Sequence, residues 1–307
     1  MAKKEEWVIT MTKNQITAGS MNTDYLPERK RLRRKKKIRK FSYTLLTYIA
    51  LILIALVCAG PFFWIFITSF KSSQNIYDMS IFIKNPTLDN YIGVFNYMSL
   101  PRYILNTVII TVGGIVLDVL LAALCAYPLA CMDFYGKKFI FGALISTMIL
   151  PNAAGLVVNY LTIKNLGLLD KYFGVILPSA VTVFSIILMR QAYLNIPNDL
   201  VDAAKIDGAS ELKTWYKIMV PQIKPAVSTI VIFDFIGRWN TFLWPIIVLQ
   251  NPQKYPLAAA LKYLGGQFNY KFGYIAAGTV ISIIPVIIIF LAFQKYFVNT
   301  VAGAIKA

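Results

Sequence analysis

From Ser42 to Phe70 the chain carries no charged side chain, and about 20 apolar residues at a rise of about 1.5 Å already cross a hydrocarbon core of about 30 Å. Backbone inside lipid must satisfy its own hydrogen bonds, which leaves helices or closed barrels. Five further apolar stretches follow, at Tyr103 to Leu129, Phe139 to Ile163, Phe173 to Tyr193, Ala226 to Leu249 and Tyr274 to Phe297. Each run is continuous, whereas a membrane strand alternates over about ten residues. The predicted fold is therefore all-α, a polytopic membrane protein with six transmembrane helices. Composition agrees, with 57% hydrophobic and only 15% charged residues, against about 25% charged in soluble domains. Pro151, Pro178, Pro245 and Pro285 fall inside expected spans and predict bent helices around a cavity.

Orientation follows from the basic residues. Arg29 to Lys40 holds ten Lys/Arg directly before the first span, which places the N-terminus in the cytoplasm. Six spans return the C-terminus to the same side, with 22 of the 31 Lys/Arg inside, counting Arg190 and Lys295 at the inner ends of their spans, 8 outside and Arg238 deep within a span. The basic run reads as a topology determinant against anionic lipid, and it accounts for much of the +17 net charge without implying nucleic acid. The expected organisation is a basic leader (1–42), a permease domain (43–298) and a cytoplasmic tail (299–307). Residues 1–28 are polar and suggest no packed core. The first apolar run is too long for a signal peptide, and Leu56-Val57-Cys58 has Val where lipoprotein cleavage wants a small residue. Cys58, Cys125 and Cys131 show no metal or redox spacing, so neither a disulfide framework nor a metal site is expected.

Catalytic machinery is hard to assemble from this sequence. It contains no His and no GxxxxGK[ST], which removes imidazole chemistry and a nucleotide-cradling P-loop. The acids are few and scattered. The chain reads as non-catalytic, with any energy source on a partner.

Between the fourth and fifth spans, residues 196–224 form a connector too patterned for a plain loop. Asn198 or Asp199 can cap a short helix in which Leu200, Ala203, Ala204 and Asp207 share a face. Gly208 supplies the turn. Ser210 then caps a second helix bearing Leu212, Trp215, Tyr216 and Met219, with Pro221 as its terminator. By itself this helix-turn-helix serves equally as an amphipathic cap on the bundle.

The connector resembles the EAA loop of ATP-binding-cassette importer permeases, whose pattern is EAA, three residues, Gly, nine residues, Ile, one residue, Leu-Pro. Asp202-Ala203-Ala204, Gly208, Ile218 and Val220-Pro221 fall on that spacing, and Asp207-Gly208-Ala209 matches the usual DGA. Asp202 for Glu and Val220 for Leu are conservative departures. Across residues 43–307 the chain resembles the carbohydrate-uptake branch of maltose type. The resemblance is carried by Ser69-Phe70-Lys71, the run Asn85 to Tyr91, Asn106-Thr107, Pro151, Trp239 to Leu243 and Ala302 to Lys306.

The resemblance implies one membrane subunit of a heterodimeric permease in a bacterial inner membrane. Two cytoplasmic ATPases would carry ATP and Mg, and an extracytoplasmic solute-binding protein would deliver the sugar. Asp202, Ala203, Ala204, Asp207, Gly208, Ala209, Ile218 and Pro221 would couple to an ATPase, and Gly303 and Lys306 would lie in a tail toward it. In the fifth span Asp234, Arg238, Trp239 and Asn240 are candidates for the translocation pathway. Asp234 and Arg238, four apart, equally read as an ion pair, while Trp239 and Asn240 suit sugar faces and hydroxyls. Asp118, deep in the second span, fits a subunit interface or a pathway. The outer loop with Lys254, Tyr255, Gly265 and Gly266 would face the binding protein. The implied cargo is a di- or oligosaccharide, with polyol or glycerol-phosphate as alternatives. An ion-coupled secondary transporter is the rival reading, and it would want more intramembrane carboxylates and an inverted repeat.

Overall fold

The computed structural model describes the backbone of residues 25–83, 85–266 and 272–305, and every regular element among them is helical. Helix α1 runs Tyr25–Ser69. The expected leader boundary at residue 42 is therefore not a structural one, because Glu, Lys, Arg and Leu are all good helix formers. The chain divides into two compact units, residues 1–64 and 65–307. In the first, the side chains from Phe41 to Val57 are exposed.

The second unit holds α2 (Asp89–Tyr97), α3 (Leu100–Cys131), α4 (Lys137–Thr147), α5 (Leu156–Asn165), α6 (Tyr172–Ile176) and α7 (Val183–Leu194). It continues with α8 (Asn198–Ile206), α9 (Glu211–Thr214), a π-helical turn (Trp215–Met219), α10 (Val220–Gln222) and α11 (Lys224–Trp239). The last elements are α12 (Leu243–Val248), α13 (Leu257–Gly265) and α14 (Phe272–Ile305). α3 is the central element, packed on α7 and α11, while α14 packs on α11 and α2.

Among the described residues, three helices are long and apolar enough to cross a membrane, namely Lys40–Ser69, Leu100–Cys131 and Phe272–Phe293. Two bent pairs raise this to five: Tyr172–Ser179 with Val183–Leu194, at 52°, and Glu211–Gln222 with Lys224–Trp239, at 73°. The expected third span, Phe139 to Ile163, is interrupted between α4 and α5. Pro151 lacks an N–H and disfavours helical backbone at Leu150. The expected fifth span also stops early, at Trp239. Just beyond, Asn240 and Thr241 bond back to the carbonyls of Ile236 and Gly237 at 2.8 Å each, side-chain bonds that compete with helix continuation. The last helix reaches Ile305, so no break marks a tail at 299; Lys306 lies outside the described residues.

Two sequence patterns far apart in the chain meet in one joint. Asn90 donates to the carbonyls of Ser69 and Lys71 at 3.0 and 2.7 Å, and the Thr87 N–H donates to Phe70 O at 2.9 Å. Tyr91 shares a 2.8 Å hydrogen bond with Ser69 and packs its ring on Phe70. The runs Ser69 to Lys71 and Asn85 to Tyr91 thus join the C-terminal end of α1 to the start of α2.

Candidate functional site

The connector between α7 and α11 is built in two layers. Its first helix, α8, stops in a left-handed turn: Gly208 has φ 71°, the Ala209 N–H reaches Ala204 O at 3.0 Å and the Asp207 N–H reaches Ala203 O at 3.0 Å. The Ala209 bond across left-handed Gly208 is the 6→1 bond of a Schellman closure, which satisfies a carbonyl that would otherwise be orphaned. Ala204 is buried and Val201 packs on the core, while Asp202, Ala203, Asp207 and Gly208 are exposed and Ile206 is 86% exposed. The face predicted from Leu200, Ala203, Ala204 and Asp207 is therefore split, because Ala204 joins Val201 on the inward side.

The second layer is anchored to the membrane helices. Ser210 stands at the start of α9 in extended conformation, but its side chain makes no capping bond; its carbonyl accepts the Thr214 N–H at 2.9 Å. Tyr127 of α3 donates to Glu211 at 3.0 Å, and the Trp215 indole donates to the Tyr193 hydroxyl of α7 at 3.1 Å. The Tyr127 and Tyr193 rings meet edge to face at 5.8 Å. Met219 is buried, whereas Ile218 and Ala209 are half-buried. Pro221 does not end the helix. The wide turn Trp215–Met219, closed by the Val220 N–H on Trp215 O, relieves the crowding its ring would cause. The break comes at Ile223 instead, before Lys224–Trp239.

In mid-bundle, Arg238 pairs with Asp234 at 2.8 Å, with side chains only 9% and 12% exposed, and also holds Ser179. Asp118, fully buried, accepts from the Thr182 N–H at 2.7 Å and from Ser185 at 2.6 Å. The geometry contains the ion pair of Asp234 with Arg238, while Asp118 is engaged by Thr182 and Ser185 of the same bundle. Trp239 is buried, stacked on Phe235 at 5.2 Å, and donates to Ser282 O at 2.9 Å. Its ring is engaged in packing.

Away from the connector in sequence, Asn240 and Gly266 line one open cleft of about 460 Å³ together with Phe242, Lys262, Thr279 and Ser282. Lys254, by contrast, is tied to the side chain and carbonyl of Asp170, and Tyr255 is buried. The Asp170 carboxyl also accepts from Gln250 N and Asn251 N at 3.1 Å each. The Lys254 ammonium first, and these backbone donors second, hold that carboxyl below its ordinary range, against the opposing effect of burial. Asn106 donates to the carbonyls of Gln253 and Tyr255 at 2.9 and 3.0 Å and accepts from Tyr172 at 2.7 Å. Thr107 accepts the Leu257 N–H at 2.8 Å.

Residues 79–303, which contain both the connector and the cleft, match the family described as binding-protein-dependent transport system inner membrane component. The chain belongs to this family. A relative named arabinooligosaccharides transport system permease protein AraQ, from Bacillus subtilis strain 168, is 33% identical over 82% of this chain and 92% of its own length. The diacetylchitobiose uptake system permease protein NgcG of Streptomyces coelicolor is 27% identical over 85% of this chain and 88% of its own. Among solved structures, a bacterial ABC transporter that imports the acidic polysaccharide alginate contains a chain 28% identical, with a TM-score of 0.77. The match covers 84% of this chain and 98% of that one.

Within this inner membrane component the expected site residues fall into several separate places rather than one, with Asp234, Arg238 and Trp239 in mid-bundle. The connector residues stand together, and Asn240 meets Gly265 and Gly266 at the cleft. Lys254 and Tyr255 are internal struts. Gly303 lies in the final helix. Phe242, Thr279 and Ser282, which give the cleft an aromatic face and hydroxyls, were not singled out as site residues; for Phe242 the available signal was its place in the run Trp239 to Leu243. Among the described residues no group of His, Cys, Asp or Glu is arranged to hold a metal ion.

Proposed function

We propose that this chain is one of two membrane subunits forming the translocation pathway of an ATP-driven sugar importer, six-spanning, with both termini cytoplasmic. α8 is the coupling helix. The observation that carries the reading is the two-layered connector: an outer helix exposing Ala203 and Ile206, and an inner segment fastened through Tyr127 and Tyr193 to α3 and α7. A helix seated in a groove of a moving ATPase passes its displacement to those spans only if the connector is rigidly attached to them. ATP and Mg bind on the two ATPases, and a solute-binding protein delivers the cargo at the outer face, where Gly265 and Gly266 are its contact. Gly303 and Lys306 belong to an end that reaches toward the ATPases.

The cargo is an oligosaccharide. The relatives named for arabinooligosaccharide and diacetylchitobiose support this class, and so does the cleft, whose Phe242 ring and Asn240 amide suit the apolar and hydroxyl faces of a sugar. The alternative, an ion-coupled secondary transporter, finds its deep carboxylates already engaged by Arg238, Thr182 and Ser185. Proteoliposomes holding the complete importer should take up oligosaccharide only with internal ATP and external binding protein. Ile206→Asp should release the ATPase subunits on purification and lower uptake at least tenfold. Uptake driven by an ion gradient alone, without ATPases, would overturn the proposal.

A further inference from the structure

The fourth span is not one helix. Its outer piece, Tyr172–Ser179, and its inner piece, Val183–Leu194, meet at 52°. Such a break leaves carbonyls at the end of one piece and N–H groups at the start of the next without helical partners, at a cost of several kcal/mol for each group left bare in hydrocarbon. Both ends are capped here by charges from neighbouring helices. Arg238 of α11 gives one guanidinium N–H to the Ser179 hydroxyl at 3.0 Å and another to the Ser179 carbonyl. Asp118 of α3 takes the Thr182 N–H at 2.7 Å and the Ser185 hydroxyl at 2.6 Å, while the Thr182 hydroxyl accepts the Ser185 N–H at 3.2 Å.

The signs match the half-helix dipoles. The guanidinium sits at the negative C-terminal end of the outer piece, and the Asp118 carboxyl at the positive N-terminal end of the inner one. Asp234 holds the remaining face of Arg238. The guanidinium lies against Gly114, where any Cβ would collide with it. Gly114 is one helical turn from Asp118 on the same face of α3, so a single face of α3 both caps the inner piece and makes room for the cap of the outer one. Three residues before α8, at Asn195, the inner piece passes into the connector.

We propose that Asp118, Asp234 and Arg238 are positioning residues that clamp the break in the fourth span at a fixed bend, so that the inner half-span moves with α3 and α11 as one body. Displacement entering at α8 is then delivered to the pathway instead of being absorbed by flexing at residues 179–183. This rests on the importer reading above for its functional consequence, but not for the clamp itself.

The test uses the assembled importer in lipid nanodiscs, with the three native cysteines replaced by Ser and spin labels at Phe173→Cys and Gln191→Cys, both exposed positions on opposite sides of the break. The label-to-label distance distribution should be narrow and the same in nucleotide-free and vanadate-trapped complexes. It should broaden in Arg238→Lys, which keeps the charge beside Asp234 but cannot hold the Ser179 hydroxyl and carbonyl together. In the same variant, and in Asp118→Asn, binding-protein-stimulated ATP hydrolysis should stay within about twofold while sugar uptake per ATP falls at least tenfold. A distance that shifts between the two states of the native-sequence complex overturns the clamp, as does a wild-type uptake-to-ATP ratio in both variants. Absence of any ATP-dependent uptake in the parent complex would instead sink the importer reading and leave the distance arm to judge the clamp.

Discussion

At the scale of single residues, backbone conformation decides more than side-chain contact. Gly208 has open space around its absent Cβ, yet φ 71° places it in the left-handed region, which costs an L-residue roughly 1–2 kcal/mol. Gly208→Asn should therefore retain most uptake, whereas Gly208→Val should lose most of it at unchanged membrane abundance, measured as transport per importer. Among the described residues Asp170 is the left-handed position that is not a glycine, at φ 57°, where Asn is again tolerated. Its carboxyl is held below the ordinary range, so the stabilisation it contributes is present above about pH 4 and is lost as pH falls through its lowered value. Protection of the 250–255 amides, measured as exchange relative to the intrinsic rate at each pH, should fall in acid for the native sequence. Asp170→Asn should remove that acid step and leave exchange faster at neutral pH. The Gly208 turn was legible from its place in the spacing. Asp170 was not, because its partners lie about 80 residues away in the chain.

At the scale of elements, the departures from continuous spans have local causes. Pro151 interrupts the third apolar stretch, and Asn240 with Thr241 stops the fifth. What keeps the resulting short pieces in place is a small number of buried amides and hydroxyls. Asn106 is the clearest case: one side chain joins α3 to Gln253, Tyr255 and Tyr172. Asn106→Leu would leave those buried groups without partners, at about 1–3 kcal/mol per group. The purified complex should melt several degrees lower, with faster exchange confined to residues 253–257; an unchanged melting point and exchange pattern would show that the outer segment is held by something else. The sequence pattern Asn106-Thr107 was visible as a family resemblance, but nothing in its neighbourhood shows that it grips a segment about 150 residues away.

At the scale of the whole molecule, the membrane imposes a sidedness that can be read out directly. The connector and the cleft belong on opposite faces if six apolar segments cross. Single cysteines at Gly208 and at Gly266, both exposed, should be labelled by an impermeant maleimide from opposite sides of sealed vesicles. Labelling of both from one side would refute a crossing between residues 208 and 266, and with it the six-span arrangement. The basic run before the first span and the long apolar stretches are what predict this arrangement, because partitioning between water and lipid acts on composition averaged over about 20 residues.

The sequence by itself therefore determined that the chain is helical, that it lies in a membrane, and that residues 202–221 form a distinct connector, all properties of local composition and spacing. Only the tertiary structure decided which face of α8 is free, that Trp239 is a packing residue while Phe242 reaches the cleft, and that Asp118, Asp234 and Arg238 converge on the break at Ser179 to Val183. The physical reason is that hydrogen bonds and ion pairs in a low-dielectric interior are satisfied by whichever helix arrives alongside, and that neighbour is set by packing across the bundle.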